Sequence, residues 1–211
     1  MLFRSSFSWG LSYRSKISID YKGDGTFTQT STGIPPFDAA VAAQIPFGQK
    51  LPIKTSIDYP DLASLGFAFG LSPNVTLETD INWTGWSSFD KVVLAFPDNP
   101  QFSQTIPEKY DDAFNYRAGV NWVISPTTQW RFGAVYDETP QPEPSVGPLL
   151  PDANRTGLCL GYGYTGATKL DVAFMYLPFA DRTRNTDFAG DPVFHGKFQT
   201  TAYLLGISIG F

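Results

Sequence analysis

The chain has 211 residues, of which 15 are basic and 20 acidic, a net charge of −5 that points away from any nucleic-acid partner. One cysteine, Cys159, and one histidine, His195, exclude an internal disulfide, a Cys-rich metal site and a multi-histidine metal site. No apolar run approaches the roughly 18 residues of a membrane helix, but a membrane strand needs only about 9 to 11.

The first residues, 1–16, carry an early arginine without an apolar core or a small-residue cleavage site, so they do not read as a signal peptide. Either the protein is cytosolic or its beginning is missing. From Phe7 the chain alternates: Phe7, Trp9, Leu11, Tyr13, Ile17, Ile19 and Tyr21 are apolar, while Ser8, Gly10, Ser12, Arg14, Lys16, Ser18, Asp20 and Lys22 are polar or small. One unusually long strand is expected there. A second runs from Leu51 through Ile53, Ile57 and Tyr59 to Leu65, Phe67, Phe69 and Leu71, with a bulge expected at Pro60.

Six further strands follow in chain order. Their apolar faces are Val75-Leu77-Ile81-Trp83, Tyr116-Val120-Trp122-Ile124, Trp130-Phe132-Tyr136, Leu158-Leu160-Tyr162-Tyr164, Leu170-Val172-Phe174-Tyr176, and Tyr203-Leu205-Ile207-Ile209-Phe211. This reading gives eight strands and no helix. Short turns at Ser72-Pro73-Asn74, Ser125-Pro126-Thr127 and Thr165-Gly166-Ala167 alternate with long connections rich in Pro, Asp, Asn and Gly. Such sidedness is that of an outer-membrane β-barrel, with turns on the periplasmic edge and loops outside.

Period two alone does not say which face meets water, because a soluble sandwich and a membrane barrel share it with opposite sense. Aromatic residues gather near the ends of the apolar faces, among them Trp9, Tyr13, Trp83, Trp122, Trp130, Tyr136, Tyr162 and Tyr176, as they do at membrane interfaces. The expected fold is therefore all-β, an antiparallel transmembrane β-barrel. A soluble lipid-binding barrel is the rival of that reading.

Several segments together resemble a known family. They are residues 11–15 running on to 19–23, Tyr59-Pro60-Asp61, Asn82-Trp83-Thr84-Gly85-Trp86-Ser87-Ser88-Phe89, Trp130-Arg131-Phe132-Gly133 through Tyr136-Asp137-Glu138-Thr139-Pro140, and Leu150-Pro151-Asp152-Ala153-Asn154-Arg155. Their order and spacing resemble the FadL/TodX outer-membrane transporters of long-chain fatty acids and aromatic hydrocarbons. The resemblance implies a fourteen-stranded barrel plugged by an N-terminal hatch. It covers only the final eight strands, so residues 1–211 are expected to be a C-terminal barrel segment with hatch and early strands absent. The last strand, ending at Phe211, resembles the signal read by the barrel-assembly machinery.

The implied function is passive transport of long-chain fatty acids or other hydrophobic compounds across the bacterial outer membrane, in contact with outer-membrane lipid and without cofactor. Aromatic-hydrocarbon uptake and a small structural or adhesive OmpA-like eight-stranded barrel are the alternatives. A fatty acid needs an apolar groove and a cation, so the ligand-binding candidates are Lys109, Arg117, Arg131, Arg155, Phe96 and Phe102. Lys109 precedes a strand on the loop side, where the family places a basic residue near its ligand. Arg155 and Asp152 also read as a loop-to-strand clamp, and Phe96, Phe102, Phe179, Phe188 and Phe194 either form a landing site or pack the loops.

No catalytic set is expected. His195 lacks a recognisable serine partner, Glu78 and Asp80 read as neighbouring polar-face charges, and Cys159 as a small packed residue.

Overall fold

The computed structural model describes residues 6–188 and 195–211. Its main body is one antiparallel sheet of eight strands. In chain order the strands are β1 (Phe7–Arg14), β2 (Ile17–Gly25), β3 (Leu51–Tyr59), β4 (Leu62–Ser72), β5 (Val75–Thr84), β6 (Lys91–Leu94), β7 (Gln104–Pro107), β8 (Ala113–Ser125), β9 (Thr128–Asp137), β10 (Arg155–Thr165), β11 (Lys169–Pro178), β12 (Arg182–Arg184), β13 (Gly196–Phe198) and β14 (Thr201–Gly210). The large sheet has the order β1-β4-β5-β8-β9-β10-β11-β14, so each strand lies beside its predecessor in the up-and-down sense. Three two-stranded sheets, β2-β3, β6-β7 and β12-β13, stand on the loop side.

The two long strands read from the sequence are each cut in two. Arg14 faces Leu62 and, three residues on, Ile17 faces Tyr59, so the register of β2 on β3 continues that of β1 on β4 without a slip. Pro60 therefore does not insert the expected bulge. Lacking an N–H, it interrupts the ladder opposite Ser15 and Lys16, and the hairpin breaks into a lower half within the large sheet and an upper half beyond it. The bulges lie elsewhere, at Gly70/Ser72 and Val123/Ser125, beside two of the short turns.

A helix, α1 (Pro35–Ala42), corrects the expectation of none. Its eight residues show no apolar stripe, and it starts on Pro35 and Pro36, which suit the first helical turn. Asp38 in that turn accepts from Ser31 Oγ at 2.7 Å, Thr32 Oγ1 at 2.7 Å and Thr32 N at 3.1 Å. These bonds, from Ser31 first, hold its carboxyl below the ordinary aspartate range.

Burial shows that the apolar face is not packed against other described residues. Among the described residues the buried apolar ones are Leu51, Phe96, Ala113, Val146 and Ala153, none of them in the middle of a strand of the large sheet. The apolar face is open instead: Trp9 is 64 % exposed, Leu11 69 %, Leu205 68 % and Ile207 63 %. Leaving one such side chain in water costs about 1.5–3 kcal/mol, so a whole face of them requires lipid. Strands of 10 residues (β5, β9, β11, β14) and 11 residues (β4, β10) match the length that crosses a bilayer.

Aromatic pairs mark both ends of the apolar face. Trp130 and Tyr162 lie 5.1 Å apart near the turns, and Tyr116 stacks on Tyr136 at 6.4 Å toward the loops. The opposite face is polar, with several of its side chains bonded to one another, although the buried Asn121 Oδ1 has no partner among the described residues. Asn82 Nδ2 donates to Asn115 Oδ1 at 3.4 Å, and Arg131 Nη1 donates to Asp171 Oδ1 at 2.8 Å.

Among the described residues β1 and β14 do not pair with each other, so the eight strands form an open sheet. The alternative of an OmpA-like eight-stranded barrel closed on itself is not what these strands build. Closure would need hydrogen bonds between the outer edges of β1 and β14, and among the described residues the strand order ends at these two strands.

Candidate functional site

At the loop end of β8, β9 and β10, three long connections meet at one residue. Gln141, only 4 % exposed, donates from Nε2 to Tyr110 Oη at 3.3 Å and to the Ser145 carbonyl at 3.0 Å. Its Oε1 accepts from Asp152 N at 3.0 Å, and its carbonyl accepts from Arg182 Nη2. The side-chain amide of Gln141 thus ties the 85–112 connection to 138–154, and its main-chain carbonyl holds Arg182 of the connection after β11, so its polar atoms are used. Next to it Arg184 Nη1 donates to the Val146 carbonyl at 2.8 Å, and Glu143 Oε1 accepts from Asn185 N at 2.7 Å and Thr186 N at 3.1 Å.

Beneath this knot lies a cavity of about 310 Å³. Trp86, Tyr110, Pro140 and Leu150 give it an apolar lining, and Asn115, Asp137, Glu138, Asp152 and Arg155 supply its polar groups. The Trp86 and Tyr110 rings lie 5.9 Å apart, and Phe89 meets Tyr110 edge-on at 5.0 Å. Arg155 Nε donates to Asp137 Oδ2 at 2.7 Å, Arg155 Nη1 donates to Asp152 Oδ1 at 2.8 Å, and the Phe179 ring lies 5.2 Å from the guanidinium carbon. The clamp read into the Pro-Asp-x-x-Arg segment is this pair of bonds. Burial, reinforced by the charges of Glu108 and Asp152, pushes the Tyr110 phenol up to about 12, so it stays a neutral hydroxyl.

A second cavity, of about 460 Å³, is let into β9, β10, β11 and β14. Gly133, Cys159, Gly161, Ala173 and Gly206 are small and leave the space that Met175 and Leu204 edge with apolar atoms. Arg131 stands at its polar end. On β9 Arg131 and Asp137 are six residues apart, about 20 Å along the strand, so the two cavities lie at different depths.

The candidate residues divide between these places. Arg155 lines the upper cavity and Arg131 the lower one. Arg117 donates from Nε to Asn115 Oδ1 at 2.6 Å on the same polar face, with no carboxylate in an ion pair to it among the described residues. Lys109, at φ 49°, holds its ammonium 5.6 Å from the Phe188 ring. Phe96 and Phe102 lie apart from the others, packed with Phe27 at ring distances of 5.9 and 5.1 Å, and Phe96 is buried. Phe194 lies outside the described residues. His195 Nε2 sits 2.8 Å from Asp187 Oδ2, a hydrogen bond within the loop, and lines neither cavity.

Tyr110 and Gln141 were not singled out by sequence reading. Both sit in Pro-rich connections without period, and only the fold brings them together. Trp86 stood in a segment quoted for its resemblance, which was the available signal.

The comparisons agree with this geometry. The family model described as outer membrane protein transport protein (OMPP1/FadL/TodX) matches residues 2–211. The chain belongs to that family. It is a family of outer-membrane transport proteins, not of enzymes, and the polar face of the sheet is accordingly the lumenal one. The long-chain fatty acid transport protein of Escherichia coli O6:H1 is 22 % identical over 209 residues, covering 96 % of this chain and 46 % of the relative. A crystal structure of a Pseudomonas aeruginosa FadL homologue superposes with a TM-score of 0.81 at 20 % identity, over 97 % of this chain and 48 % of the other. The toluene transporter TodX of P. putida superposes with a TM-score of 0.61 at 15 % identity, over 99 % and 45 %. The chain thus spans about half the length of these relatives.

Proposed function

We propose that this chain forms the larger part of the wall of a passive outer-membrane conduit for hydrophobic compounds, long-chain fatty acids foremost. The observation that carries the reading is the lower cavity. An apolar hollow of about 460 Å³ on an otherwise polar wall, with the Arg131 guanidinium at one end, suits a chain with a weakly polar head. Arg117, bonded among the described residues to Asn115, is a further cation for a passing carboxylate. No energy coupling or cofactor is required of such a path.

The ends of the strand order, β1 and β14, are where additional strands would complete the barrel, and residues outside these 211 are the source we assign to them. Tyr203, Leu205, Ile207, Ile209 and Phe211, all exposed, are the row that the assembly machinery would read.

The test is flux of a fluorescent long-chain fatty acid into vesicles carrying this chain assembled with the strands that complete its barrel. Entry faster than in protein-free vesicles, slowed by bulk at Gly206, supports the reading; entry at the protein-free rate refutes it for this chain. Aromatic hydrocarbons are a second reading, favoured by the rings of Trp86 and Tyr110 in the upper cavity.

A further inference from the structure

The two cavities differ in charge. The lower one is bordered by Arg131 and its partner Asp171, a neutral pair. The upper one is lined by three carboxylates, Asp137, Glu138 and Asp152, against one cation, Arg155.

That cation is fully engaged. Its Nε donates to Asp137 at 2.7 Å, its Nη1 donates to Asp152 at 2.8 Å, its Nη2 also faces Asp137, and its flat side lies over Phe179. A ligand carboxylate entering here would have to displace an internal one and would still face a net negative lining. Lys109 offers no relief, because its ammonium lies over Phe188 and it is not part of the lining. Glu138 is held too, accepting from Phe114 N at 3.1 Å.

The cavity nevertheless has the build of a ligand site. It combines an indole, a phenol, a proline and a leucine with a few fixed polar groups, the mixture found where small molecules are oriented. Tyr110 Oη accepts from Gln141 Nε2, which leaves the phenol proton to be donated. A neutral acceptor such as an alcohol or carbonyl oxygen can take that proton without any charge to repay.

We infer that the upper cavity is a charge filter at the mouth, taking uncharged hydrophobic molecules with a single polar oxygen and disfavouring the anionic form of a fatty acid. The inference rests on the conduit reading and narrows it. Acids reach the lower cavity protonated, or by a path that bypasses Trp86.

A pair of probes differing only in charge tests this. 10-Bromodecan-1-ol and 10-bromodecanoate carry the same tryptophan quencher on the same chain, and the Trp86→Phe variant identifies the part of the emission that comes from Trp86. With the full chain in zwitterionic lipid vesicles at pH 7.4, the alcohol is expected to quench the Trp86-dependent emission at a concentration about tenfold lower than the carboxylate. Glu138→Gln, which keeps an acceptor for Phe114 N and leaves the Arg155 clamp untouched, is expected to narrow that ratio.

Equal or tighter binding of the carboxylate overturns the filter, as does quenching by neither probe. Flux of the fluorescent fatty acid is measured in the same vesicles, which separates the two ideas. Flux without alcohol binding at Trp86 sinks the filter and leaves the conduit standing. Alcohol binding at Trp86 without flux sinks the conduit and the filter with it, and leaves only a binding site for uncharged molecules.

Discussion

Arg155 and Asp137 lie directly opposite each other on β10 and β9, and the guanidinium Nε donates to the carboxylate over 2.7 Å. The same arginine reaches Asp152 three residues back, so a strand start, its neighbour and a loop are fastened at one point. These side chains are 30 %, 23 % and 17 % exposed, too sheltered for solvent to screen the bonds away. Arg155→Ala is expected to cost about 1–3 kcal/mol, the range of hydrogen bonds to charged groups. The urea midpoint of the refolded chain measures it, and a midpoint equal to wild type would mean the clamp adds nothing.

Gln141 makes a different prediction, because its bonds join loops. Gln141→Leu keeps the volume and strands the Asp152 N–H and the Tyr110 hydroxyl, each loss costing about 1–3 kcal/mol. Limited proteolysis is expected to cut within 85–112 and 138–154 at least several-fold faster, while far-UV circular dichroism of the sheet stays unchanged and the Arg182 bond to the residue-141 carbonyl is kept. Cleavage at the wild-type rate would show that the loops hold without the amide.

The loop clamp is sensitive to acid. Glu143 is held below the ordinary glutamate range, first by the Asn185 N–H, with Thr186 and Arg182 adding to it against some desolvation. A carboxyl depressed in the folded state stabilises it above its unfolded value, near 4.3, and that contribution is lost as pH falls through the lower folded value. Amide exchange at Asn185 and Thr186 is therefore expected to stay slow from neutrality to about pH 5 and to accelerate below about pH 4. The Glu143→Gln variant should remove the pH step.

The lower cavity predicts a block. A Cβ on Gly206 would meet no atom within 4 Å, so Gly206→Leu should fold normally while filling the hollow. Fatty-acid flux is expected to drop several-fold with an unchanged gel shift on heating. Unaltered flux would place the path elsewhere.

The large sheet was legible because its signal is local: eight runs of period two and three tight turns are each contained within about ten residues. Register gave Pro60 a different role from the expected bulge, since only the pairing of Arg14 with Leu62 and Ile17 with Tyr59 shows that no residue is inserted. Helix α1 carries no stripe because it packs little, and its start is set by Asp38 bonds to Ser31 and Thr32 rather than by a repeating pattern. The upper site was half legible. Arg155 and Asp152 stand three apart in one segment, whereas Tyr110 and Gln141 are 31 residues apart in aperiodic loops, and nothing in either segment names the other.

The sense of the sheet, apolar side to lipid and polar side to the lumen, underlies every reading above. Spin labels placed one at a time along β14, from Ala202 to Gly210, in a Cys159→Ser background and refolded into vesicles, test it most directly. Collision with oxygen is expected to peak at positions 203, 205, 207 and 209, and collision with a water-soluble nickel complex at 204, 206 and 208. The opposite phase, or accessibility without a period of two, would contradict the account.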